Sequence, residues 1–212
     1  MVGVDFSHDM IAFAAGHFSP AARPNLRFQA ADAHNLPFRE EFDLIVSFNA
    51  LHWLPDQAPA LRSIRAALKP GGMAQLRLVS AGERKSLESV LEDTRQLPRW
   101  SRYFRDFHKP YFHPTPGQYA TLAEASGLQV RRLQTSSKAW DFKSREAFFA
   151  FGSVTFVEWT HCVPESERQA FITDTLDRYQ PIATSHSGEE NTFKFYQMDI
   201  TLARDATSAA NR

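Results

Sequence analysis

Through residues 1–79, short apolar runs alternate with apolar positions at helical spacing, and turn residues separate them. Met1–Val4 is apolar and stops at Asp5, as the end of a strand does. Ser7 then suits a helix N-cap, with Met10, Ile11, Phe13 and Ala14 on the turns that follow and Gly16 as a stop. Leu26–Gln29 predicts a second short strand, leading into Ala31-Asp32-Ala33 and the turn-rich Asn35-Leu36-Pro37-Phe38. Phe42–Phe48 is a nearly continuous apolar run, the pattern of a parallel strand buried on both faces. After a loop over Asn49–Pro55, Ala60, Leu61, Ile64 and Leu68 mark a helix. Lys69-Pro70-Gly71-Gly72 stops it, and Met73–Val79 resumes as a strand.

The second half has a different rhythm. Residues 80–114 mix charged and aromatic residues with weak periodicity, as a cap would. Thr115-Pro116 forms an N-cap and N1 pair, Gly127 ends that helix, and Leu128–Thr135 is the next strand. Residues 144–180 predict two helices broken at Cys162–Pro164. Phe193–Ala203 alternates as a final strand. Strand–helix alternation closed by a C-terminal strand pair predicts an α/β fold, its sheet mostly parallel with an antiparallel edge. The expected organisation is one domain over 1–203, cap insertions at about 80–114 and 141–185, and a disordered tail over 204–212.

Charge narrows the function. Lys and Arg number 24, as do Asp and Glu, so the formal net charge is zero. A general nucleic-acid or membrane-surface binder draws its affinity from excess positive charge, and neither is expected. Arg95, Arg99, Arg102, Arg105 and Lys109, interleaved with Trp100, Tyr103, Phe104 and Phe107, are accordingly expected to form a solvated lid helix. The 18 phenylalanines supply area for a large core or an apolar substrate cavity. One cysteine, Cys162, precludes an internal disulfide and fits a reducing, cytoplasmic setting. There is no Cys-x-x-Cys, His-Glu-x-x-His or Gly-x-Ser-x-Gly, so neither a metal site nor a serine hydrolase has support.

Asp5, Asp32 and Asn49 each follow a predicted strand, and open α/β sheets bind ligands at those carboxyl ends. A strand-end Asp also serves as a turn former or helix cap. Taken together, Val2-Gly3-Val4-Asp5-x-Ser7-x-x-Met10, Asp32-Ala33-x-x-Leu36-Pro37-Phe38, Phe42-Asp43-Leu44-Ile45-Val46-Ser47 and Leu68-Lys69-Pro70-Gly71-Gly72 resemble the class I S-adenosylmethionine-dependent methyltransferases. Asn49 to Gln57, with Tyr111 to Gly117, is similar to trans-aconitate and juvenile hormone acid methyltransferases. The resemblance implies a Rossmann-like sheet and methyl transfer from S-adenosylmethionine to a small molecule, a carboxylic acid in that subfamily. It implies that Asp5 binds the ribose hydroxyls, that Phe6 lies against the adenine and that Met10 closes its pocket. Asp32 and the Ala33 N–H would read the adenine edge, Asn49 would line the passage beside the methyl group, and His52 and Trp53 would face the substrate. No acid or base is implied, since a carboxylate is already ionised at neutral pH.

One departure from the family qualifies this. Its glycine-rich cofactor loop, between first strand and first helix, has no counterpart before Met1–Val4, so the chain is expected to be truncated, with weakened cofactor binding and doubtful activity. Met1–Val4 would then lack one neighbour, and Phe42–Phe48 would expose an edge prone to self-association. The competing expectation is a non-catalytic remnant that binds or oligomerises.

Overall fold

The computed structural model describes residues 1–19 and 21–206. Strand β1 (Val2–Asp5) pairs in parallel with β2 (Arg27–Ala30), Val2 lying opposite Arg27 and Asp5 opposite Ala30. Helix α1 (His8–His17) joins them. Its Ser7 N-cap accepts the Met10 N–H at 3.3 Å, yet the helix buries none of its residues.

A second sheet holds β3 (Phe42–Phe48), β4 (Leu68–Ser80), β5 (Gln129–Asp141) and β6 (Thr192–Ala203), in the order β3-β4-β6-β5. β3 and β4 are parallel, whereas β6 runs antiparallel to both of its neighbours. The parallel pairs β1–β2 and β3–β4 and the antiparallel C-terminal pair follow the expected pattern, with the parallel strands divided between two sheets. The β3–β4 ladder skips from Phe42↔Leu68 to Leu44↔Met73, and residues 69–72 bulge out between those pairs. Gly72 is required there: a Cβ would stand 2.9 Å from the Lys69 carbonyl and 3.0 Å from that of Phe42.

Along β4 burial alternates with the pleat. Ala74, Leu76 and Leu78 point into the core, while Met73 and Gln75 stand on the opposite face with the half-buried Arg77. The inward face packs on α2 (Ala58–Ala67), whose Ala60, Leu61, Ile64 and Ala67 make one stripe. After α3 (Leu87–Arg95), α4 (Pro116–Ala125) adds Tyr119 and Ala123 to the same core. β3 departs from the both-faces-buried expectation. Leu44, Val46 and Phe48 are 51%, 52% and 55% exposed, because β3 is a sheet edge and no described element covers that face.

A second core belongs to the cap. α3, α5 (Arg145–Thr155), α6 (Val157–Thr160) and α7 (Glu165–Ala183) enclose Trp100, Phe148, Phe156, Trp159, Phe171 and Tyr179. The lid helix expected over the basic–aromatic stretch is absent from these described residues, where a single 3-10 turn spans Ser101–Tyr103. Trp100 and Phe104 are core residues, and Trp100 donates Nε1–H to Asp174 at 2.9 Å. Arg99 and Arg102 stack on Trp100 and Tyr103, with their own side chains largely in solvent.

At the start of the stretch 204–212, Arg204 is tied to the sheet. Arg204 donates its N–H to the Gly72 carbonyl at 2.9 Å and its guanidinium to the Leu68 carbonyl at 2.6 Å. Residues 207–212 lie outside the described residues. No described helix is long and apolar enough to cross a membrane.

Candidate functional site

The carboxyl ends of β1, β2 and β3 open into one chamber of about 1090 Å³. Val4 and Asp5 of β1 line it with Phe6 of the turn into α1 and His8 at that helix's start, as do Ala30 of β2 and the following Ala31 to His34. The turn after β3 contributes Asn49, Ala50, Leu51, Trp53, Leu54 and Pro55. The cap closes the far side with Pro110, Thr155, Val157 and Glu158.

Both strand-end aspartates serve the local backbone and still retain a free oxygen. Asp5 Oδ1 accepts the Ser7 N–H at 2.8 Å, tightening the turn into α1. Asp32 Oδ1 caps the 3-10 turn Ala33–Asn35 by accepting the His34 N–H at 2.9 Å, and it also meets His34 Nδ1 at 2.9 Å. Neither Oδ2 has a protein partner among the described residues, so each carboxylate can accept from a ligand. The turn former and the ligand acceptor are the same side chain. Asn49 takes a left-handed backbone (φ 57°), tolerable for Asn, and donates its N–H to the Arg77 carbonyl at 2.8 Å. That kink ends β3 and turns the chain into the 3-10 helix Leu51–Trp53.

Successive residues of a 3-10 turn point about 120° apart, and the His52 and Trp53 rings lie 5.3 Å apart between centroids. Trp53 lines the chamber. His52 does not: it is 4% exposed, receives the Val79 N–H on Nδ1 at 3.5 Å, and lies 5.8 Å from the His113 ring. Burial lowers the His52 pKa to about 4. Burial also lowers His113 to about 3, with smaller effects from His52 and Lys109. Burial favours the neutral form of both rings, and His52 is not among the residues that line the chamber. Met10 is also outside the lining, 54% exposed on a helix that buries none of its residues. Asp5, Phe6, Asp32, Ala33, Asn49 and Trp53 are brought together. His34, Pro110, Thr155, Val157 and Glu158 were not signalled by the sequence.

Three strand ends bearing two carboxylates and an Asn thus meet beneath an apolar cap, the place where open α/β folds take ligands. The chain matches the methyltransferase-domain family model over residues 1–76. It is 31% identical over 76% of its length to trans-aconitate 2-methyltransferase of Deinococcus radiodurans, covering 58% of that protein. It is 30% identical over 68% of its length to juvenile hormone acid O-methyltransferase of Drosophila melanogaster, covering 50%. The chain thus spans little more than half the length of these curated relatives. Phosphoethanolamine N-methyltransferase 2 of Haemonchus contortus, solved with S-adenosyl-L-methionine, shares the fold at 15% identity and a TM-score of 0.54. That match covers 96% of this chain and 43% of the other.

Proposed function

We propose that this chain provides the adenosine site and acceptor wall of an S-adenosylmethionine-dependent methyltransferase acting on a small carboxylic acid. The observation that carries the reading is the convergence of Asp5, Asp32 and Asn49 on one chamber, each at the end of a different strand. Asp5 Oδ2 suits a ribose diol and Asp32 Oδ2 an adenine amino group. The free carboxylate oxygens fit the nucleoside end of the cofactor. The fit weakens at the amino-acid end, because the lining holds no Lys or Arg among the described residues. Held there by Asp5 and Asp32, the cofactor would supply an electrophilic methyl group, and a carboxylate acceptor, already ionised at neutral pH, would need no proton removed by the chain. The chain's task is therefore alignment: Asn49 at the kinked strand end and Trp53 beside it hold the acceptor in line. The two relatives named for acids support the carboxylic acid acceptor.

On this reading residues 1–212 bind S-adenosylmethionine little better than adenosine. Calorimetric titration of both ligands tests it. Affinities within about threefold of each other, a difference under ~1 kcal/mol, are expected. A strong preference for the whole cofactor would overturn the weakened-cradle reading, and silence toward both ligands would overturn the adenosine site.

A further inference from the structure

His34 ties two walls of the chamber together. It stands two residues past Asp32, in the 3-10 turn Ala33–Asn35, and lines the chamber with it. Its backbone N–H and its ring Nδ1 both meet Asp32 Oδ1, each at 2.9 Å. The other ring nitrogen, Nε2, lies 3.1 Å from the Asp56 carbonyl oxygen. Asp56 ends the loop that brings Trp53, Leu54 and Pro55 to the chamber, and its own Oδ1 accepts the Ala58 N–H at 3.0 Å at the start of α2. Both ring nitrogens therefore face oxygens that accept, one from a carboxylate and one from a carbonyl. A bare nitrogen lone pair would repel the carboxylate, so Nδ1 carries a proton and donates to Asp32.

We propose that His34 is a positioning residue for base selection. By holding Asp32 Oδ1 with two donors, it leaves Oδ2 as the oxygen offered to a purine amino group, so that the chamber prefers a 6-aminopurine nucleoside to a 6-oxopurine one. This rests on the adenosine reading above. The terminal torsion of an Asp side chain is broad, and one bond to the backbone restrains it only in part. A second donor on the same oxygen narrows that swing, and its ring is anchored at the far nitrogen to a carbonyl 22 residues further along the chain. An amino group donates to Oδ2, whereas a 6-oxo group sets acceptor against acceptor. Rejection of the oxo group is only as sharp as the aim of Oδ2, because a carboxylate free to turn can move away from it. His34 acts through Asp32 and takes no part in the transfer.

The test compares adenosine with inosine, which carries an oxo group in place of the 6-amino group and a proton on the neighbouring ring nitrogen. Both are titrated calorimetrically into the full chain and into three variants. The wild type should bind adenosine at least about tenfold more tightly, the size expected of one hydrogen bond to a charged group exchanged for a repulsion. In His34→Asn the side-chain amide sits where Nδ1 was and still donates to Asp32. In His34→Gln it reaches the place of Nε2 and keeps only the Asp56 carbonyl. His34→Asn should therefore hold the ratio within about twofold of the wild type, and His34→Gln should bring it down to about threefold or less. The reverse ranking, or equal loss in both, would make the ring a strut for the Asp56 loop and overturn the proposal. Asp32→Asn, whose amide donates to an oxo group, tests the base reading itself and should abolish or reverse the preference. A changed ratio there with an unchanged one in His34→Gln would overturn the role of His34 and leave the adenosine site standing. An unchanged ratio in Asp32→Asn, no preference in the wild type, or binding of neither nucleoside would overturn adenine reading by Asp32 and this proposal with it.

Discussion

His113 shows how a single side chain can be a burden that the fold carries. Neither ring nitrogen is accessible or has a partner among the described residues, and Tyr111 and His52 pack against the ring at 4.5 Å and 5.8 Å between centroids. An unpaired buried polar group costs on the order of 1–3 kcal/mol, which an apolar ring of similar shape would not incur. His113→Phe should therefore be at least as stable as the wild type at pH 7. The pH dependence has a definite sign. His52 and His113 are held near 4 and 3 when folded, against about 6.5 in the unfolded chain. Below about pH 6.5 the unfolded state takes up protons that the folded state refuses, so stability is intact above that pH and drains away toward pH 4 and below. His113→Phe removes one of these sites. Urea unfolding from pH 7 to pH 4 should show a shallower loss in the variant, and an unchanged slope would mean that the ring titrates freely in the folded state.

At the scale of elements, α4 shows what local sequence specifies. Thr115 Oγ1 accepts the Gln118 N–H at 3.3 Å while Gln118 Oε1 accepts the Thr115 N–H at 2.9 Å, a reciprocal cap with Pro116 at the first turn. Gly127 (φ 78°) then supplies the left-handed residue that ends the helix. Thr115→Ala should cost about 1 kcal/mol in denaturant midpoint experiments, with Thr115→Ser recovering most of it; no loss would show that packing of Tyr119 alone holds the helix. Caps and stripes of this kind made α1, α2 and α4 legible in the sequence, and Asp5, Asp32 and Asn49 were legible as strand ends. The stretch 95–109 misled because basic residues three and four apart imitate a solvated helix face. Burial of Trp100 and Phe104 against Phe171 decides its shape, and that contact is set by the tertiary fold. His52, beside Trp53 in sequence and 5.3 Å from it between ring centroids, is buried and outside the chamber lining, a difference that no residue type announces. Thr155, Val157 and Glu158 carry no local signature, reaching the chamber only because α5 and α6 fold back over strand ends formed about a hundred residues earlier.

The whole molecule presents two parallel strand pairs whose ends share a chamber but whose edges share no hydrogen bond: β1 pairs with β2, and β3 with β4. On the outer face of the larger sheet, β4 and β6 are polar, with Arg77 paired to Asp199 at 2.7 Å and Gln197 donating to Asp199 at 2.8 Å. Across β3 the same face turns apolar through Leu44, Val46 and Phe48, joined by Met73 of β4 at 44% exposure. Val4 of β1, 43% exposed, leaves apolar surface on the other unpaired edge. Soluble proteins protect such edges with Lys, Pro or a covering element, and β3 has none of these between Leu44 and Phe48. Net charge near zero supplies little repulsion to keep copies apart. We expect residues 1–212 to self-associate through these edges, the behaviour that a binding or oligomerising module would also require. Light scattering should show the mean mass rising with concentration between about 5 and 200 μM, a range set by the modest contact area of one strand edge. Val46→Lys, which places a charge at the centre of the patch, should hold the chain monomeric without lowering its melting temperature, because Val46 is half exposed already. A wild type that stays monomeric throughout and unfolds in one cooperative step would instead mean that β1 and β3 close on each other in solution.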